Sequence, residues 1–393
     1  MTLASGLTAT RQAGAHPLAH YRGEFPIFRD KIYLNTCSLG ALGERTRRRI
    51  AEFLDLWQER GASAWYDVWW AALAELRRRY ARVIAATPEE IALGPSISVA
   101  LASVAEALDY GKRRRVVVTS LDFPTVAYQW LAKRARGVEL VVVESPDQVS
   151  VPVEAIARAV DERTALVATS HVYFTSGAIQ DIRAVAQAAH ARGALCLIDA
   201  YQSVGQVPCD VRAADVDFLT AGGLKWLLGG PGIVFLYARA ELARRLEPGI
   251  AGWFGHKRQF AFEPRVLERH DDARRFELGT PSLAAIYTQL GGLEYIEEIG
   301  VPAIRDVTAA LTEDLIARAC AAGFRPKVAA RAEDRSAIVM LPADDPTERV
   351  RHLAAAGIIA DARPGHVRLS PFFYNAQDDY VAALERLAAQ SDH

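Results

Sequence analysis

At 393 residues the chain exceeds the size at which one core usually stops growing, so its length predicts two domains. With 51% apolar and 24% charged residues it has the balance of a globular protein, not of a disordered or fibrous one. A formal net charge of −1 provides no overall field to draw in nucleic acid or an anionic membrane.

Residues 1–20, rich in Ala, Thr and Gly, read as a loose N-terminal arm without the apolar centre of a signal peptide. No segment is long and apolar enough to span a bilayer. Cys37, Cys196, Cys209 and Cys320 are widely spaced with no CxxC pair, and read as reduced thiols of a cytoplasmic protein. Thr87-Pro-Glu-Glu90 combines a capping hydroxyl, a Pro at the first helical position and acids in the first turn, the pattern of a helix start. It leads into the strand-like Ile91-Ala-Leu-Gly-Pro-Ser-Ile-Ser98 and a helix over 98–108. Hydroxyls at such a start suit an anion, because exposed N–H groups and the helix dipole favour negative charge there; an ordinary N-cap serine is the plainer alternative.

Lys112-Arg-Arg-Arg115 reads as a solvated turn before the first of six apolar strands, at 115–120, 139–144, 164–170, 194–199, 218–221 and 232–237. Helical stretches at 151–161 and 181–192 lie between them, the second closed by Gly193. Strands alternating with helices predict an α/β fold whose mostly parallel sheet is flanked by helices. Ligands gather at the carboxyl ends of strands in such sheets, which is where Asp199, His171 and the loop after Ser120 fall. Two long helices, 283–299 and 301–322, precede short strands and helices that include Val367-Arg-Leu-Ser-Pro371. This predicts a large domain over 21–282, its N-terminal part packing near a smaller α+β domain over 283–393.

The chemistry concentrates in two places. Asp199 ends the strand Ala194-Leu-Cys-Leu-Ile-Asp199, and Lys225 sits in Thr220-Ala-Gly-Gly-Leu-Lys-Trp-Leu-Leu-Gly-Gly-Pro-Gly232. Pyridoxal 5'-phosphate (PLP) needs both residue types: an amine to hold it as a Schiff base, and a carboxylate to pair with the pyridinium nitrogen that makes its ring an electron sink. Gln202, three positions past the Asp, is placed to reach another ring substituent.

With these residues in hand, the chain resembles the class V aminotransferase family of fold-type I PLP enzymes, over roughly 30–385. That family includes kynureninases, cysteine desulfurases and isopenicillin N epimerases, and the nearest local likeness is to kynureninase. Three segments carry it: Tyr33-Leu-Asn-Thr-Cys-Ser-Leu-Gly40, Asp122-Phe-Pro-Thr125 and Gly252-Trp-Phe-Gly-His256. The resemblance implies that Lys225 binds the cofactor and moves protons, that Asp199 pairs with the ring nitrogen, and that Gln202 approaches the phenolic oxygen. It places Phe123 on the ring face and Ile97 and Ser98 at the phosphate. It assigns Trp253 and Thr280 to the neighbouring subunit's cofactor, hence a homodimer with sites at the interface. It gives Arg368 to the α-carboxylate of an amino-acid substrate, a task for a planar fork. Arg363 is a second candidate for that carboxylate, or a partner of Asp361, and His171 a further residue near cofactor or substrate. No metal site is implied.

The departures matter as much. Leu224 stands where kynureninase has a Tyr before its lysine, Val126 where it has an Asp, Gln202 where it has a His and Thr280 where it has an Asn. Against a desulfurase, the stretch from Asp361 to Arg368 is too short for the loop that carries the catalytic cysteine, and it contains no Cys. Cleavage of a side-chain bond is the leading expectation, amino-group transfer the alternative, and a non-catalytic PLP-binding homologue the remote one. A nucleotide-binding α/β protein using Gly229-Gly-Pro-Gly232 as a phosphate loop lacks the required order of strand, Gly-rich turn and helix. Tyr66, Trp69, Trp70, Phe254 and Phe372 are candidates for an aromatic substrate pocket.

Overall fold

The computed structural model describes residues 16–389. Its centre is a seven-stranded sheet in the order Ile91–Gly94, Val234–Ala238, Phe218–Gly222, Leu195–Asp199, Thr164–Ser170, Arg115–Thr119 and Glu139–Val143. Strand Val234–Ala238 runs antiparallel to both of its neighbours, and the other pairings are parallel. All six expected strands are present, and Ile91–Gly94 extends the sheet beyond them. Successive residues of the inner strands face opposite sides: Val116, Val118, Leu166 and Leu197 enter one apolar cluster, and Val117, Val167 and Ile198 the other. Burial on both faces explains why these strands read as unbroken apolar runs.

Helices lie where the sequence pattern put them, with two local differences. The helix after Ile91–Gly94 begins at Ile97, and its N-cap is Ser96, whose Oγ accepts the Val99 N–H at 3.3 Å; Ser98 is inside the first turn. Thr87-Pro-Glu-Glu90 does close a capping box, but over the short 3₁₀ turn Pro88–Glu90, which the following strand ends.

Helix Leu283–Ile299 packs on Glu44–Arg60 and Trp69–Val83, and Val301–Ala321 follows it. Beyond lies a three-stranded antiparallel sheet, Asp361–Arg363 beside His366–Leu369 beside Val339–Pro342, with helices Pro346–Ala355 and Gln377–Ala388. Of the expected arm, residues 1–15 lie outside the described ones. From His16 the chain is docked: His16 Nε2 is 2.9 Å from the Asn375 carbonyl, and Leu18 is buried. The segment after it pairs Ile32–Tyr33 with Ile358–Ile359, and then runs to Gly40, whose N–H reaches the Leu224 carbonyl at 2.8 Å. A side chain at Gly40 would collide with the Lys225 carbonyl, so glycine is what lets this segment touch the lysine loop. The N-terminal stretch thus joins the C-terminal strands to the end of the central sheet. Among the described residues no helix is long and apolar enough to cross a membrane.

Candidate active site

A cavity of about 270 Å³ opens at the carboxyl ends of the central strands. Asp199 comes to it from the end of its strand, Ser170 from the adjacent strand end, Phe123 from the loop after Arg115–Thr119, and Lys225 from the loop after Phe218–Gly222. Ile97 enters from its helix start and Ser38 from the N-terminal segment. The sequence-derived set Lys225, Asp199, Gln202, Phe123 and Ile97 is therefore brought together.

Asp199 is buried, and among the described residues its one hydrogen-bond donor is the Tyr201 N–H at 2.9 Å. Burial raises its carboxyl from the usual range to about 6, against that N–H and the Lys225 charge. A carboxylate held this way is short of one donor or cation. Lys225 makes no hydrogen bond through its amine among the described residues, and burial lowers it to about 8. Gln202 spends its amide on structure: Nε2 donates to the Cys37 carbonyl at 3.0 Å, and Oε1 accepts the Trp226 indole N–H at 3.0 Å. The second Nε2 hydrogen remains to face the cavity. Phe123 is 46% exposed, although it stands edge-on to Phe174 with centroids 5.1 Å apart. A half-bare ring beside a buried acid and an unbonded amine matches a flat aromatic ligand.

Asp122 fixes the loop that presents Phe123. Its carboxylate accepts the Thr119 N–H at 2.7 Å, the Ser170 N–H at 2.6 Å and the Thr169 hydroxyl at 3.0 Å. Ser98 follows the lining residue Ile97 but is absent from the cavity wall; its hydroxyl meets that of Thr125 at 2.9 Å, so two helix starts converge there.

Arg368 is absent from the cavity wall and is buried behind two lining residues, held on three sides by the Phe174 carbonyl at 3.0 Å, the Ser38 hydroxyl at 2.8 Å and the Asp361 carboxylate. Its Nε–H is buried without an acceptor among the described residues. Arg363 pairs with the same Asp361, at 2.8 Å, and is half-buried. Asp361 also accepts the Ser38 hydroxyl at 2.7 Å. One carboxylate thus orients both candidate arginines.

Arg368, Arg363 and Ser98 thus stand behind or beside the cavity wall, and three further sequence-derived residues stand elsewhere. His171 is buried behind the strand end, its Nδ1 without a partner among the described residues and its ring pushed down to about 4 by burial, so it is neutral at pH 7 and is absent from the cavity wall. Thr280 lines a different cleft with Leu93, Gly94 and Ile233. Trp253 is 39% exposed beside Phe260 and Phe262. The aromatic set expected to form a pocket does not: Trp69, Phe254 and Phe372 are core, Trp70 stacks on Phe254 at 5.2 Å, and Tyr66 is 89% exposed. Around the cavity itself stand Leu224, marked in the sequence by its place before Lys225, and Val172, Phe174 and Tyr201, none of which had a sequence signal as a site residue.

The Aminotransferase class-V family profile matches residues 44–377. The chain belongs to the class V aminotransferase family. It is 34% identical over 381 residues to the uncharacterized aminotransferase YcbU of Bacillus subtilis, covering 96% of this chain and 99% of that one. It is 29% identical over 370 residues to the kynureninase of Shouchella clausii, covering 90% and 87%. A solved structure of a C-DES mutant with glycine covalently linked to its PLP cofactor superposes with a TM-score of 0.86 at 20% identity, covering 93% and 98%. The protein is a PLP-dependent enzyme of fold type I. The residues present fit that cofactor: a buried acid with no ion pair among the described residues, an unbonded amine, a half-bare ring face and converging helix starts.

Proposed function

We propose that the enzyme cleaves a side-chain bond of an amino-acid substrate. Bound PLP supplies an electron sink for charge developing at the substrate's Cα. Asp199, with a single protein donor, is the group that keeps a proton on the ring nitrogen. Lys225 Nζ, whose lowered pKa leaves a usable fraction of free amine near neutral pH, takes and returns the Cα proton. Arg368 receives the substrate carboxylate on its unpartnered Nε–H, with Asp361 and Ser38 holding the guanidinium plane still. Phe123, Phe174 and Val172 keep water from the reacting carbon.

What supports the bond-cleaving outcome is the likeness to kynureninases along nine-tenths of the chain, together with the kynureninase-like segments 33–40 and 122–125 meeting at this cavity. Amino-group transfer is the second reading. It is favoured by Leu224, an apolar wall beside Lys225 where kynureninase has a phenol, and by the likeness to YcbU. Single-turnover incubation with a panel of amino acids and no keto acid separates the two. Side-chain cleavage returns the aldehyde form of the cofactor with a shortened amino acid; conversion to pyridoxamine phosphate with release of a keto acid overturns it.

Two copies complete the site in this reading. Trp253 and Thr280, remote from the cavity of their own chain, then serve the partner's, and the exposed Phe260 (61%) and Phe262 (72%) are covered.

Arg368→Ala is expected to raise the KM for amino acids by about 10–100-fold, the value of one or two charge-assisted hydrogen bonds, with the holoenzyme spectrum unchanged. Titrating that spectrum with substrate checks it. An unchanged apparent affinity for every active amino acid removes Arg368 from the carboxylate role.

A further inference from the structure

Tyr201 follows Asp199 by two residues and lines the same cavity, yet neither its sequence position nor the reading above uses its side chain. Two independent contacts fix the ring. A Cβ built on Gly222, at the end of the neighbouring strand, would fall inside it, so the ring lies flat on a glycine that has to be a glycine. On the cavity side the Lys225 Nζ stands over the ring face, 4.7 Å from the centroid. No other side chain holds that amine by a hydrogen bond among the described residues.

We propose that Tyr201 is a positioning residue for Lys225: its ring face is the seat on which the ε-ammonium rests whenever the amine is not bonded to cofactor. A π face attracts a cation without accepting a directed hydrogen bond, so it localises the ammonium but leaves the nitrogen lone pair free once the proton departs. A carboxylate in that place would hold the proton; an aliphatic wall would leave the amine unplaced. The charged and titratable groups that face Lys225 come from four elements: Asp199 from Leu195–Asp199, Arg368 from His366–Leu369, Arg363 from Asp361–Arg363, and Cys37 from the N-terminal segment. The two arginines push the proton off, and Asp199 and Cys37 favour it. The ring adds to the second side.

This rests on Lys225 being the cofactor lysine, and it is tested without cofactor, so its failure leaves that reading intact. Full-length chain stripped of PLP is labelled with acetic anhydride from neutral to alkaline pH. The labelling rate at Lys225 is followed by mass spectrometry of its peptide. The midpoint of the rate against pH reads the amine's proton affinity, whereas a change in access alters only the plateau. Tyr201→Leu is expected to lower the midpoint by about half to one pH unit, and Tyr201→Phe, which keeps the ring, to leave it in place. A Tyr201→Leu midpoint that stays or rises overturns the proposal, as does a Phe variant that falls with the Leu variant, since that would assign the effect to the hydroxyl. Should Tyr201→Leu not fold, Tyr201→Met replaces it with the same expected fall and the same overturning results.

Discussion

Lys225→Ala is expected to fold, to admit PLP to the cavity and to retain none of it covalently, with turnover lower by more than ~1,000-fold. The loop that carries Lys225 is held by its backbone, Gly40 N–H to Leu224 carbonyl and Leu228 N–H to Lys225 carbonyl, not by the lysine side chain. Folding moves the amine from 10.5 down to about 8. A lysine depressed in this way binds fewer protons folded than unfolded between those values, so stability is lost as pH falls through that window, and the penalty is fully present at pH 7. Alanine removes the penalty and leaves the loop's hydrogen bonds in place, so the loss of activity is not a loss of fold. Borohydride reduction followed by intact-mass measurement checks the attachment: wild type gains a phosphopyridoxyl group, the cofactor less one oxygen atom, and the variant does not. A variant that still gained it would carry PLP on another lysine, and the whole site would have to be rebuilt around that one.

How this site was legible in the sequence depends on the kind of information each residue carries. That Asp199 and Lys225 come to one cavity was readable because a strand end and a glycine-flanked loop are local patterns, and the cofactor's chemistry names the residue types to look for. The parallel strands were readable because burial on both faces leaves unbroken apolar runs such as Val116-Val-Val118 and Leu195-Cys-Leu-Ile198. Strand Val234–Ala238 has the same composition, so its reversed direction left no mark.

What escaped is what only three-dimensional pairing decides. Asp361 is seven residues from Arg368 and looks like the partner of Arg363; a tight antiparallel turn puts it opposite Arg368 and lets it bind both. Ser38 reaches that cluster from the far end of the chain. The aromatic residues failed for a related reason. Removal from water is the same gain whether a ring enters a core or a pocket wall, so Trp69 and Phe254, in the core, could not be told from Phe174 and Tyr201, at the cavity, by composition or spacing. His171 shows the converse: a strand-end position places a residue near a site, and the alternation of the chain then turned its ring away from the cavity.

Asp199→Asn is expected to separate function from stability most sharply. Turnover should fall by ~100-fold or more, because the fixed charge that holds the ring nitrogen's proton is gone. The cofactor-free chain should at the same time become harder to unfold. Burial raises the Asp199 carboxyl from 3.8 to about 6. The folded chain therefore binds more protons than the unfolded one between those values, and stability drops as pH rises through that window. At pH 7 the cost is complete, up to ~3 kcal/mol at 1.36 kcal/mol per unit. Asn carries no charge to desolvate, and its oxygen can still accept the Tyr201 N–H that Asp199 now takes at 2.9 Å. In the proposed arrangement PLP would reverse the balance in the wild type, since its pyridinium would give Asp199 an ion-pair partner. Thermal melts of both proteins with and without PLP at pH 7 should then show a higher Tm for the empty variant and a smaller rise on adding cofactor. The empty-state difference should shrink toward pH 4, where the wild-type carboxyl is neutral as well. Equal gains from PLP in the two proteins, or normal turnover in the variant, would mean that Asp199 does not face the ring nitrogen.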